Sequence, residues 1–146
     1  MNEEAKEKNS RKLSYLLLLL VVVFYTLWQM FASGGHTVTA EVDDTQIGLA
    51  VDRYESVFIP LEEVREVRLI ESLGEWISLD GSSDRNFSYG RCSIEEYGEA
   101  MLSVYTQKPP FLLIRTENDT YIYNHSNQKE TTEDYNAITE ALSGIA

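Results

Sequence analysis

Few of the side chains capable of chemistry stand at the spacings chemistry needs. His36 and His125 are the two histidines. Neither has a Cys, Ser or carboxylate partner at a recognisable spacing, and both read as ordinary surface residues. No GxSxG elbow or SxxK pair appears to activate a serine. Cys92 is the single cysteine, which excludes an intrachain disulfide and a CxxC or Cys/His zinc cluster. It reads as a small buried hydrophobe. Asp80-Gly81-Ser82-Ser83-Asp84-Arg85-Asn86 places oxygen donors at alternate positions, as a calcium loop does. Arg85 stands where that loop needs glycine and Arg91 where it needs a bidentate glutamate, so the tract reads as a polar loop. The sequence therefore predicts no catalytic residue, no metal ligand and no cofactor.

The aromatic residues Tyr54, Phe58, Trp76, Tyr89, Tyr97, Tyr105, Tyr121 and Tyr123 suit the core of a small half-open sheet. Trp76, Tyr89, Tyr97, Tyr121 and Tyr123 are the candidates for an interaction groove. Asn86-Phe87-Ser88, Asn118-Asp119-Thr120 and Asn124-His125-Ser126 fit the glycosylation tripeptide, a pattern that arises easily by chance.

The elements that must position these groups divide at Leu13–Phe31, nineteen residues without charge, Gly or Pro. At about 1.5 Å per residue they form a helix of roughly 28 Å, close to the ~30 Å hydrocarbon thickness of a bilayer. Twelve are Leu, Val or Phe: Leu13, Leu16, Leu17, Leu18, Leu19, Leu20, Val21, Val22, Val23, Phe24, Leu27 and Phe31. At roughly 0.3–0.6 kcal/mol each they favour insertion by about 4–7 kcal/mol. Tyr15, Tyr25 and Trp28 lie toward the ends, where amphipathic rings prefer the interface. A cleaved signal peptide is the competing reading, with Ala32-Ser33-Gly34 as small residues for cleavage. The apolar run exceeds the roughly 7–15 residues of a typical signal core, which favours an uncleaved anchor. Lys6, Lys8, Arg11 and Lys12 precede the span, and the next basic residue is Arg53. The positive-inside rule then predicts a cytoplasmic N-terminus and an extracytoplasmic C-terminal domain. No GxxxG pattern marks a dimer face, and no ionisable residue lies within the span, so it tethers and does not transport.

Four of the twelve Lys/Arg and three of the twenty-four Asp/Glu precede Gly34, so the remainder carries a formal charge of −13. Such a surface is repelled by phosphates and by anionic lipid headgroups, which excludes nucleic acid as a partner. The expected organisation is a disordered head over 1–12, a transmembrane helix over 13–32, a linker over 33–36 and one domain over 37–146.

Within that domain, Thr37–Val42, Ile47–Val51 and Tyr54–Ile59 alternate apolar and polar residues and predict an antiparallel meander with turns at Asp43-Asp44-Thr45 and Asp52-Arg53. Leu61–Val64 is a connecting turn and Val67 and Leu69 belong to a fourth strand. Gly74 to Arg85 reads as a long loop. Asn86–Ile94 and Tyr97–Thr106 form a hairpin, and Phe111–Thr116 is a central strand turning at Asn118-Asp119 into Thr120–Tyr123. Asn127 and Glu130 suit the start of a final helix with a stripe of Tyr135, Ile138, Leu142 and Ile145. That helix is expected to plug the open end of a bent sheet.

Ile59-Pro60-Leu61-Glu62-Glu63-Val64-Arg65-Glu66-Val67, Tyr89-Gly90-Arg91-Cys92 with Tyr97-Gly98-Glu99-Ala100, and Pro110–Thr116 with Tyr121-Ile122-Tyr123-Asn124 resemble a bacterial pleckstrin-homology-like (PH-like) domain family. The resemblance runs roughly from Thr37 to Leu142, with Cys92 where an aromatic is usual. It implies an α+β, mainly β fold: a half-open antiparallel barrel capped by one C-terminal helix, in proteins often attached to transmembrane helices. It supplies no mechanism. Phosphoinositide-binding relatives carry Lys and Arg on the first hairpin. Asp43-Asp44-Thr45-Gln46 is acidic there, so phosphoinositide binding is not expected. The expectation is a non-catalytic, single-pass membrane protein displaying an interaction domain, with a protein partner of basic character or a second copy of the chain. A small-ligand or peptide sensor using a pocket near Trp76 is the alternative, and a secreted protein with a cleaved signal is a third.

Overall fold

The computed structural model describes residues 2–32, 35–52 and 56–145. They fall into two compact units, Met1–Gly35 and His36–Ala146.

The first unit is one helix, α1 (Asn2–Ala32). It includes the expected span, and it also runs through residues expected to form a disordered head. The head is rich in Glu and Lys, strong helix formers that continue a helix already nucleated by the apolar run. Glu7 and Arg11, one turn apart, pair at 2.7 Å. At about 1.5 Å per residue the 31 residues make a rod of roughly 46 Å, longer than a hydrocarbon core needs.

The second unit opens with the expected meander: β1 (Val38–Val42), β2 (Gln46–Val51) and β3 (Val57–Pro60), antiparallel in that order. The proposed strand start at Tyr54 and the turn residue Arg53 lie outside the described residues, as do Ser33 and Gly34 of the linker. Asp43 holds the first turn, its Oδ1 accepting the N–H groups of Thr45 and Gln46 and the Thr45 hydroxyl. A 3-10 turn at Leu61–Glu63 leads into β4 (Val64–Ile70).

The other strands are β5 (Trp76–Ser78), β6 (Ser82–Ser83), β7 (Phe87–Ile94), β8 (Gly98–Tyr105), β9 (Phe111–Thr116) and β10 (Thr120–Tyr123). With β4 they form a seven-stranded sheet ordered β4-β9-β10-β8-β7-β5, with β6 also on β7. The β7–β8 and β9–β10 hairpins agree with the sequence, and β9, expected to be central, is interior, next to the edge strand β4 and paired on both sides. Two features differ. The loop expected over 74–85 contains β5 and β6, short strands whose partner β7 determines them more than their own pattern does. The pairing of β10 with β8 is parallel, a non-local register that no local alternation encodes.

Strand β9 explains the two cores. Leu112 and Ile114 face one, together with Ile47, Leu49 and Ile59 of the meander, Tyr123, and Ile138 of α2 (Gln128–Ile145). Phe111 and Leu113 face the other, lined by Cys92, Ile94, Leu102, Val104 and Ile122. Burial on both faces requires the near-continuous apolar run Phe111–Ile114. The large sheet curls over the second core without closing a barrel among the described residues, the half-open layout expected.

Helix α2 lies against β1 of the meander and β4 and β9 of the larger sheet. It packs on both sheets as the expected capping helix. Asn127 caps it as expected, its Oδ1 accepting the N–H of Lys129 at 3.0 Å. Of the predicted stripe, Ile138 is buried and Tyr135 and Leu142 are half-buried, but Ile145 is 51 % exposed.

Candidate functional site

Where β10 ends, the chain turns into α2 through Asn124 and His125, and the side chains with most scope for chemistry meet there. His125 is buried. Its Nε2 lies 2.5 Å from Oδ2 of Asp134 and its Nδ1 3.6 Å from Oε2 of Glu130. The Tyr123 hydroxyl donates to the same Asp134 oxygen at 3.1 Å, and the His125 backbone N–H donates to the Thr131 hydroxyl at 2.9 Å. Burial alone would lower the His125 pKa. The hydrogen bond and charge of Asp134, the charge of Glu130 and a bond to the Val38 backbone outweigh it, and the pKa is raised. Burial, then the adjacent Asp134, drives the Tyr123 phenol far above its ordinary range, so it remains a donor.

Both ring nitrogens of His125 thus face acceptors. The cluster clips β10 to α2. Sequence reading placed His125 at the surface with no carboxylate partner, and the structure corrects this. The partners are five and nine residues on, across the start of a helix. A legible signal existed: Glu130, Asp134 and Ile138 recur every four residues, which puts both carboxylates on the helix face that carries the core isoleucine.

The five aromatic groove candidates do not converge on one surface. Tyr123 is wholly buried in the first core, and Tyr89 and Tyr121 pack against that core. Trp76 and Tyr97 pack against the second. Arg68 sits over the Tyr97 ring, 5.3 Å from its centroid. Trp76 borders an open depression of about 470 Å³ with Leu73 and Phe111 beneath it and Ser72, Asp84, Arg85 and Gln107 around it. This is the position expected for a pocket near Trp76. Its walls are mainly polar, and its apolar members Leu73 and Phe111 belong to the second core.

The calcium-like tract is structural where it touches β7. Oδ1 of Asp84 accepts the N–H groups of Asn86 and Phe87, and these bonds hold its carboxyl below the ordinary range. His36, assigned to the linker, instead belongs to the domain: its ring stacks on Phe87 with centroids 4.4 Å apart, and Nε2 lies 3.8 Å from Oδ2 of Asp84. Among the described residues, no group of three or more His, Cys, Asp or Glu is placed to hold a metal ion. Cys92 is buried, and burial pushes its thiol up to about 11.

The first unit has its own chemistry. Leu13, Leu16–Leu20, Val21–Val23, Phe24, Leu27 and Trp28 are all solvent-exposed around α1, and Phe31 falls in its last turn. The polar side chains of the run bond within the helix: Ser14 to the Ser10 carbonyl at 3.0 Å, Thr26 to the Val23 carbonyl at 2.9 Å, and Gln29 to the Tyr25 hydroxyl at 2.8 Å. Internal satisfaction of polar groups is what hydrocarbon demands. By length and composition, α1 is long and apolar enough to cross a membrane.

Comparison with known proteins gives one positive result: residues 38–137 match the family model for the bacterial PH domain. No curated protein and no solved structure matches. The matched residues are more than half of the chain and run from the first residue of β1 into α2, and the chain therefore belongs to the bacterial PH domain family.

Proposed function

We propose that this chain is a single-pass membrane protein in which α1 is an uncleaved anchor and the PH domain is a non-catalytic interaction module held beside the bilayer. The observation that carries this reading is the helix: about five turns of exposed apolar side chains, with Ser14, Thr26 and Gln29 bonded within the helix. An acidic domain of charge −13 gains nothing from an anionic lipid surface, so a covalent tether must supply its location. The basic residues before the span favour a cytoplasmic N-terminus and an extracytoplasmic domain. The same acidity favours a protein partner with a basic surface, with a second copy of the chain as the other occupant. Tethering raises the local concentration, so a weak contact suffices.

Proximity cross-linking of the anchored chain in its native membranes tests this. Recovery of a specific protein, or of a cross-linked homo-oligomer, is expected. Recovery of neither refutes the interaction reading. The depression beside Trp76 favours a second reading, a small-ligand sensor. Its test is a saturable change in Trp76 fluorescence with candidate small molecules in a Trp28→Phe background.

A further inference from the structure

The last turns of α2 and the β1–β2 turn enclose a groove of about 390 Å³ on the domain surface. Apolar Val42, Ala137, Ala141 and Ile145 line it together with acidic Asp43, Asp44 and Glu140. Among the described residues, no Lys or Arg lines it. Ile145 is half exposed there, an apolar side chain that the fold leaves uncovered.

The groove also offers backbone groups. Thr37 and Asp43 hydrogen-bond across to Asp52 and Gln46. The antiparallel alternation then directs the odd-numbered residues of β1 toward β2 and turns the N–H and C=O of Val42 to the other side. Among the described residues, β1 pairs with β2 alone. His125 takes the Val38 backbone at the far end of this edge, so the open stretch lies at Val42, and an open strand edge beside apolar side chains is a template for an extended segment. The segment's inward side chains would meet Ala137 and Ala141. Its outward side chains would meet a rim of carboxylates.

We infer that the groove between the C-terminal turns of α2 and the β1–β2 turn docks an extended segment of a partner protein in which apolar residues alternate with Lys or Arg. The inference rests on the interaction-module reading and gives it an address and a partner chemistry. Charge complementarity selects this occupant: a neutral segment would leave the rim unused, and an acidic one would be repelled. Asp43 is bonded into its own turn through Oδ1, so the contribution of the rim is carried by the exposed Asp44 and Glu140.

The test uses the full chain in zwitterionic nanodiscs and two synthetic octapeptides, one alternating Lys and Val and the other Glu and Val. The Lys–Val peptide is expected to bind, to shift the amide resonances of Val42, Ala137 and Ala141, and to weaken as salt rises. The Glu–Val peptide is expected not to bind. Asp44→Lys with Glu140→Lys reverses two exposed rim charges without touching a core contact and should weaken binding about tenfold or more. Absence of Lys–Val binding overturns the inference, as does binding that the double variant leaves unchanged. Cross-linking in native membranes keeps the two ideas apart: a partner captured from probes elsewhere on the domain but not from Ala137 leaves the module reading standing and removes this groove.

Discussion

The imidazole of His125 and the carboxylate of Asp134 meet at 2.5 Å between the end of β10 and the second turn of α2. This contact joins the last strand to the helix that bridges both sheets. It lies inside the domain, with the His125 side chain 10 % exposed and that of Asp134 20 %. The hydroxyl of Tyr123 completes it.

The pair makes stability depend on pH in a definite direction. The folded pKa of His125 is raised above its ordinary 6.5. Its stabilisation is therefore fully present below that value and is lost as pH rises through the folded pKa. Thermal unfolding of residues 36–146 should show a lower Tm near pH 9 than near pH 6, with most of the difference gone in His125→Gln. Asp134→Asn should cost about 1.5–3 kcal/mol in a urea titration, the range for a hydrogen bond to a charged group. A His125→Gln profile that keeps the full pH slope would contradict the assignment.

Asn124 acts as an extra peptide group. Its Oδ1 accepts the Tyr105 N–H at 2.7 Å, while Nδ2 donates to the carbonyls of Tyr105 at 3.0 Å and Lys108 at 2.7 Å. This extends the parallel β8–β10 pairing past its last strand residue and fixes the turn before Pro109. Asn124→Ala leaves those partners unsatisfied at a wholly buried position and should cost about 2–4 kcal/mol by urea titration. Asn124→Asp should be no better, because a carboxylate cannot donate to the two carbonyls.

Gly90 and Gly81 pass each other with no room for a side chain. Both have positive φ, 123° and 118°, and a Cβ on Gly90 would stand 2.1 Å from the Asp80 carbonyl oxygen and 2.7 Å from the Gly81 Cα. The obstacles are backbone, so they cannot swing aside. Gly90→Ala should destabilise the domain by more than about 3 kcal/mol, far above the ~1 kcal/mol of a glycine in open space. Calorimetry of Gly90→Ala against Gly74→Ala, whose added Cβ meets nothing within 4 Å, makes the comparison.

Cys92 should be inert while the domain is folded. It is 1 % exposed, its thiol is pushed up to about 11, and it donates to the Ala100 carbonyl. The thiolate is the reactive form. Maleimide near neutral pH should label the native chain at a small fraction of the rate seen in urea, read by mass spectrometry. Rapid native labelling would mean that the β7–β8 hairpin opens.

The parts of this fold that are legible in the sequence are those in which one face is buried. Val38, Ala40 and Val42 alternate with exposed Thr39 and Glu41, so the meander follows from period two. The same holds for the long hairpin. What escapes is set by partners far along the chain. Ser82 and Ser83 form a strand only because Tyr89 and Ser88 lie opposite. Tyr121 pairs in parallel with Met101, twenty residues back. The N-terminal head lacks an apolar stripe, but helix propensity and the Glu7–Arg11 pair extend α1 through it. In the candidate site, His125 looked solitary because its carboxylates follow at five and nine residues, a spacing that has meaning only once α2 is in place. The groove beside α2 required the helix and the β1–β2 turn to be set against each other, which no single stretch encodes.

Whether α1 remains attached as an anchor is tested most directly by alkaline carbonate extraction of native membranes. The intact chain is predicted to stay in the pellet, with peptides from the Asn2–Lys12 head still joined to the domain in intact-mass analysis. Release of the domain into the supernatant, or a product beginning after Ala32, would contradict it.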